Sequence, residues 1–243
     1  MSKYFYLVFG LIALHSFYDK FYVASAYYND GFAYDEQKKY DLAIADYTKA
    51  IELDPKDVKA YYNRGIAYAA LLKYDLAILD FSKAIELDPK FAEAYNGRGF
   101  AYNEQKKYDL AFADYNKAIE LDPKFAFAYN SRGNAYGKLN KYDLAFADYN
   151  KAIELDPKSA FAYNSRGDAY GKLKKYGLAI ADYTKIIELD PKNAEAYTSR
   201  GSAYSEQKKY DLAFADYNKA IELDPKYVIA YNNRGNAYYA LLK

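Results

Sequence analysis

The chain has no cysteine and no tryptophan, one methionine, and a single histidine, His15. Without thiols it forms no disulfide and no thiolate zinc site, and its repeated part has neither a Cys-His nor a Ser-His catalytic pair. The lack of cysteine leaves the redox compartment open, because it suits either side of a membrane. Charge of one sign is also lacking: 34 basic residues against 33 acidic ones leave a net charge of +1. That balance gives no chain-wide attraction to phosphate backbones or anionic lipids. What the chain has in quantity is apolar and aromatic surface, 52% hydrophobic with 33 tyrosines among 243 residues. Disorder is excluded by that composition, and a core of ordinary size or an extended repeat stack is open to it.

Proline is scarce and regular. Pro55, Pro89, Pro123, Pro157, Pro191 and Pro225 lie 34 residues apart, the mark of a repeated supersecondary unit. The full units are 24–57, 58–91, 92–125, 126–159, 160–193 and 194–227, followed by a half unit 228–243, with no linker or second domain between them. Within "AEAYNGRGFAYNEQKKYDLAFADYNKAIELDPKF" the apolar residues recur at helical spacing in two blocks, broken near "KKYD" and ended by "DP". This predicts helix, turn, helix, turn, with proline stopping each second helix. Asp75, Asp109 and Asp143 are expected to cap the second helices, and Gly177, which lacks that carboxylate, to leave the fifth repeat's second helix fraying first. Positions 4, 7, 8 and 11 of each unit share one face of the first helix, for instance Tyr95, Arg98, Gly99 and Tyr102, and that face is expected to pack inward. Glycine recurring at position 8 costs about 1 kcal/mol of helix propensity each time and implies a close helix approach.

These residues resemble the tetratricopeptide repeat over 24–243. The third unit carries its pattern as Tyr95, Gly99, Tyr102, Ala111, Tyr115, Ala118 and Pro123. Departures are local: Phe81 stands for the tyrosine at position 24, Ile186 for the small residue at position 27, and no tryptophan occupies position 4. The resemblance implies an all-α, right-handed superhelical solenoid of antiparallel helix hairpins, non-catalytic and without cofactor or metal. It implies a protein-protein interaction scaffold that binds a peptide or protein segment in a concave groove.

In that family positions 2, 5, 9, 12 and 13 of the first helix line the groove, and here they are the positions at which the copies differ most. The residues they single out are Tyr28, Tyr62, Asn96, Phe100, Asn103, Phe127, Asn130, Asn134, Lys138, Phe161, Asn164, Asp168 and Lys172. Position-5 asparagines offer donors and acceptors to a peptide backbone, and Phe127 and Phe161 offer side-chain pockets. Asp35, Glu36 and Glu104 add negative charge, but no paired acid, base or nucleophile supports an enzyme. The lysine of the family's carboxylate clamp is missing, since the leading pairs are Tyr28 with Phe32, Tyr62 with Ile66 and Asn96 with Phe100. An RNA-binding helical repeat is a remote alternative, opposed by the balanced charge.

Position 7 is arginine in six units (Arg64, Arg98, Arg132, Arg166, Arg200, Arg234) and aspartate, Asp30, in the first. Position 23 is aspartate throughout: Asp46, Asp80, Asp114, Asp148, Asp182 and Asp216. Pairing each aspartate with the arginine of the following repeat uses all twelve charges, so inter-repeat pairs Asp46–Arg64 through Asp216–Arg234 are expected. Tyr238, Tyr239, Leu241 and Leu242 lack the polar face of a terminal cap, which makes self-association through Leu241 and Leu242 the alternative function. Residues 1–23 match no part of the repeat. The run "YFYLVFGLIAL" reads as a signal peptide, an uncleaved anchor or a capping helix, and membrane contact through residues 4–18 follows the first two. The chain is then exported or membrane-associated, and otherwise cytoplasmic.

Overall fold

In a computed structural model, described here for residues 20–242, the chain forms thirteen helices and no strand among the described residues. The apolar run of residues 4–18 lies outside them. Helix α1 spans residues 20–36, so "KFYV" at 20–23 continues directly into the first repeat. The others are α2 (Tyr40–Leu53), α3 (Val58–Ala70), α4 (Tyr74–Leu87), α5 (Ala92–Glu104), α6 (Tyr108–Leu121), α7 (Ala126–Lys138), α8 (Tyr142–Leu155), α9 (Ala160–Lys172), α10 (Tyr176–Leu189), α11 (Ala194–Glu206), α12 (Tyr210–Leu223) and α13 (Val228–Leu241). The chain divides into two compact units, Met1–Pro123 and Lys124–Lys243. The boundary falls in an Asp-Pro turn that the sequence makes indistinguishable from the others. Within each unit the odd helix of every repeat packs on the even helix that follows.

Each hairpin turn is closed by the backbone. Lys107 N–H donates to the Tyr102 carbonyl and Lys106 N–H to that of Asn103, with Lys106 at φ 61°, the left-handed closure in which glycine is the usual residue. Here that position is lysine, leucine or asparagine: Lys38, Leu72, Lys106, Asn140, Lys174 and Lys208. The even helices end as the prolines require. In the Asp-Pro turns the aspartate Oδ1 accepts the backbone N–H two residues on, as from Lys56 to Asp54, from Lys90 to Asp88 and from Lys158 to Asp156.

The capping expectation is overturned. Lysines such as Lys73, Lys107 and Lys141 occupy the N-cap positions of the even helices, and no side chain caps them. Asp75, Asp109 and Asp143 sit one residue inside the helix, where they act on its dipole. α10, which has Gly177 there, is as long as its counterparts. Side-chain caps fall instead on odd helices, where Asp57, Ser159 and Asn193 accept from Ala60, Ala162 and Ala196.

Glycine at position 8 is explained by contact. A Cβ on Gly99 would lie 2.9 Å from the Tyr115 ring and 3.2 Å from the Ala111 carbonyl, and one on Gly133 would lie 2.8 Å from Tyr149. The ring at position 24 occupies the space the glycine vacates, and Tyr47, Phe81, Tyr115, Tyr149, Tyr183 and Tyr217 are all buried.

The charge ladder is also corrected. Arginine and aspartate pair within a repeat: Arg64–Asp80, Arg98–Asp114, Arg132–Asp148, Arg166–Asp182 and Arg200–Asp216. Each guanidinium grips its carboxylate with two parallel bonds, as Arg98 Nε and Nη2 do at 2.8 Å to Asp114 Oδ2 and Oδ1. It also lies over the position-4 ring, 5.6 Å from the centre of Tyr95 for Arg98. The remaining Nη1 makes the inter-repeat tie, donating to the preceding repeat's position 25: Thr48, Ser82, Asn150, Thr184 and Asn218. Counting charges failed because it assumed every charge needs an opposite partner. Arg234 is held by Asn218 at 2.6 Å, and Asp46 has Asp30 in place of an arginine, its pKa raised by burial and then by the Asp30 charge.

Candidate functional site

The odd helices carry the candidate residues. Since each odd helix turns positions 8 and 11 toward its even partner, positions 2, 9 and 13 are left largely toward solvent, while the position-5 residues Tyr28 and Asn130 reach Asn63 and Ser165 of the following odd helix. In the first unit Phe32, Ile66 and Phe100 are exposed. Tyr28 is half-buried, its hydroxyl accepting from Asn63 Nδ2 at 2.9 Å, and burial raises its pKa. Tyr62 packs against the rings of Phe81 and Phe91, at 5.8 and 4.9 Å, and burial pushes its pKa up to about 12. It is more a core residue than an open contact. Asn96 and Asn103 are buried, with Asn103 Nδ2 donating to Glu104 Oε1 at 3.2 Å.

In the second unit Phe127 and Phe161 are 50% and 48% exposed and stack on each other, centres 5.3 Å apart and planes within 18°. They form a continuous aromatic surface on α7 and α9. Phe161 also borders a cleft of about 380 Å³ lined by Ala160, Asn164, Ile186, Asn193, Glu195 and Ala196. Ile186, the departure from the small residue at position 27, is buried in the α9–α11 core and forms the cleft's floor. Glu195 and Asn193 were not among the residues expected from the sequence. Glu195 stands at position 2, where a comparison of copies could have found it, whereas Asn193 belongs to the preceding repeat's turn.

The asparagines behave differently from one another. Asn130 is 1% exposed and donates to Ser165 Oγ at 3.2 Å, so its amide ties α7 to α9. Asn164 donates to Asp168 Oδ2 at 3.2 Å and borders the cleft. Position 9 has a second role. Asn134 accepts from the Tyr149 hydroxyl at 2.9 Å, Asp168 from Tyr183 at 2.7 Å, and Ser202 from Tyr217 at 3.3 Å. Asp168 is open to solvent on its other side, yet desolvation around the bonded oxygen raises its pKa, opposed by Tyr183 and Lys172. Where position 9 is Ile66, position 24 is Phe81, which needs no acceptor. Where it is Phe32 or Phe100, the hydroxyls of Tyr47 and Tyr115 are buried without a partner. Lys138 and Lys172 are exposed at the ends of α7 and α9.

Among the described residues no group of three or more His, Asp or Glu is placed to hold a metal ion. The face offers apolar contact and amide and carboxylate hydrogen bonding.

A tetratricopeptide repeat family model matches five times, at residues 24–57, 58–91, 92–125, 126–159 and 160–193. A second model of the same description matches 182–215, and a TPR repeat model matches 201–241. No curated protein sequence matches the chain. Among solved structures, the APC/C hetero-tetramer Cut9-Hcn1 aligns with a TM-score of 0.76 at 21% identity, over 88% of this chain and 42% of that one. This chain therefore spans less than half of that protein's length. A tetratricopeptide repeat protein from Parabacteroides merdae aligns with a TM-score of 0.72 at 24% identity, over 88% and 84% of the two chains. YrrB, described as a TPR protein with an unusual peptide-binding site, gives 0.55 at 25% identity over 78% of this chain and 97% of its own. With family models matched from residue 24 to residue 241, the chain belongs to the tetratricopeptide repeat family.

Proposed function

We propose that the chain is a non-catalytic scaffold that binds a peptide or protein segment along the exposed side of its odd helices and so assembles a complex. The observation that carries this is the stacked, half-exposed pair Phe127 and Phe161 beside the Phe161–Glu195 cleft. Large aromatic area left in water next to hydrogen-bonding groups is the composition of a recognition surface. The surrounding repeat is nearly invariant from copy to copy, whereas these positions vary, as a surface fitted to one ligand requires. The peptide-binding description of YrrB, at 25% identity, agrees with this reading. Affinity capture from native-source extract tests it. Phe127→Ala with Phe161→Ala should lose the captured partner at an unchanged melting temperature, because both rings are half in water already. Equal capture by the double variant would contradict the assignment.

A second reading rests on α13. Val228, Ile229, Tyr238, Leu241 and Leu242 are all exposed, Leu242 at 86%, an apolar surface suited to a second copy of the chain. Sedimentation of the wild type against Leu241→Lys with Leu242→Lys separates the readings. A dimer that the lysines abolish supports self-association, and a wild-type monomer rejects it. No described helix is long and apolar enough to cross a membrane, and the proposed membrane contact of residues 4–18 lies outside the described residues.

A further inference from the structure

The last residue of each repeat, position 34, comes in two kinds. It is a ring at Phe91, Phe125 and Tyr227, and a short polar residue at Asp57, Ser159 and Asn193. The three polar residues cap the odd helix that follows, and the rings stand at the same place without a side-chain cap. The rings fill space beside the odd helices. Phe91 packs edge-on against Tyr62, at position 5 of its own repeat, with centres 4.9 Å apart, and Phe125 stacks on Phe127 at 6.4 Å. Where the ring is missing, that space is covered by other groups or left open. In the first repeat Phe21 and Tyr28 border a cleft of only about 90 Å³ beside Asp57. In the fourth, Phe127 and Phe161, at position 2 of successive odd helices, stack on each other. The fifth repeat has Asn193 at position 34 and Asn164 at position 5, and position 2 of the next odd helix is Glu195. There the cleft of about 380 Å³ opens, lined by those three residues with Phe161 and Ile186.

Ligand pockets run from about 300 to 1,000 Å³, and a cleft at the low end of that range suits one side chain of a bound segment. Its apolar part is the Phe161 ring, Ala160 and Ala196 over the Ile186 floor. Phe161 ends the run of stacked rings Phe125, Phe127 and Phe161, which a further ring can continue. Its polar part is uneven. Glu195 is exposed and is the one charged residue of the lining. The Asn193 Oδ1 accepts from the Ala196 N–H, which leaves the Asn193 amide as a donor. A ring bearing a hydroxyl matches both groups, donating to Glu195 and accepting from Asn193. A guanidinium or ammonium has no acceptor for Asn193, and Glu195 repels a phosphate or carboxylate. We propose that the cleft between α9 and α11 seats a tyrosine side chain of a bound segment, in the place that Phe91 fills in the second repeat. This rests on the peptide-binding reading and names the residue recognised.

The test titrates the full, isotope-labelled chain with capped pentapeptides that place tyrosine, phenylalanine, arginine or phosphotyrosine between pairs of alanines. The amide resonances of Ala160, Asn164, Asn193 and Ala196 report binding. The tyrosine peptide should shift them and bind about three-fold more tightly than the phenylalanine peptide, and about ten-fold more tightly than the other two. Asn193→Phe, which restores the ring of the second and third repeats, should weaken it about ten-fold by filling the cleft. Asn193→Ser keeps a capping oxygen, as Ser159 does, and should bind as the wild type does. Glu195→Gln should narrow the preference for tyrosine over phosphotyrosine. Equal binding of the arginine or phenylalanine peptide, equal loss in the two Asn193 variants, or no binding of the tyrosine peptide overturns the site. A captured partner that Asn193→Phe retains and Phe127→Ala with Phe161→Ala loses overturns the cleft while the peptide-binding reading stands. A wild type that captures no partner and binds no tyrosine peptide overturns both.

Discussion

Glycine at position 8 and the ring at position 24 are two halves of one contact, so the same substitution has opposite consequences where the contact exists and where it does not. On Gly133 a methyl group meets the Tyr149 ring at 2.8 Å and the Ala145 carbonyl at 3.2 Å. Overpacking of this kind costs about 1–3 kcal/mol, more than the ~1 kcal/mol that alanine returns in helix propensity. Gly235 has nothing within 4 Å. Gly133→Ala should therefore lower the melting temperature and Gly235→Ala raise it, the latter through a stabilisation of up to about 1 kcal/mol. The charge at position 7 gives a second case. Burial, and then Asp30, raise the pKa of Asp46 above the ordinary 3.8. A carboxyl raised in the folded state opposes folding when ionised, so its penalty is full at neutral pH and fades as the pH falls through the folded pKa. Asp30→Arg converts that penalty into the pair seen in five other repeats. It should stabilise the chain by about 1 kcal/mol at pH 7, or roughly 2–4 °C. The gain should shrink as the pH falls through the range in which Asp46 protonates, and vanish in an Asp46→Asn background. A gain that persists in that background would show that it does not come from the pair.

At the scale of the helix, the interactions that matter join one element to the next. Asp75 at the start of α4 accepts from Gln105 of the following repeat at 2.7 Å. The same two positions in the fifth and sixth repeats hold Gly177 and Gln207, so the Gln207 Nε2 has no carboxylate there to donate to. Gly177→Asp restores a carboxylate to the positive end of α10, a better helix former than glycine, and an acceptor for Gln207. Together these should stabilise by about 1–2 kcal/mol, read by denaturant unfolding. Most of that gain should disappear if Gln207 is changed to alanine as well. The ion pairs allow a sharper comparison. In a double-mutant cycle Asp114 should couple more strongly to Arg98, its bidentate partner in the same hairpin, than to Arg132. Truncating Asp114 alone should cost about 3 kcal/mol, because Arg98 stays largely buried without its partner. The helices and their order were legible in the spacing of proline, glycine and aromatics, since those residues fix local backbone and close packing. The pairing of arginine with aspartate was not. It depends on which face of an antiparallel neighbour lies 16 residues away, which a count of charges does not contain.

At the scale of the molecule, the variable positions of the odd helices divide into exposed rings, buried ties between helices, and acceptors for core tyrosines. Phe127 and Phe161 belong to the first group, as the sequence suggested. Asn130 belongs to the second and Asn134 and Asp168 to the third, because a 100° arc describes a lone helix and omits the neighbours packed against it. Variation from copy to copy is therefore not a measure of exposure alone: Phe81 with Ile66, against Tyr149 with Asn134, is variation in a core contact. Exposed rings stand on the odd helices of both units, Phe32 and Phe100 in the first and Phe127 and Phe161 in the second. The most direct measurement places a photo-crosslinking amino acid at Phe161 and, in a separate protein, at Leu144, which is similarly exposed on the even helix α8. In native-source extract the probe at 161 should capture a discrete protein or peptide partner that the probe at 144 does not. Capture of the same species from 144, or none from 161, would contradict the account.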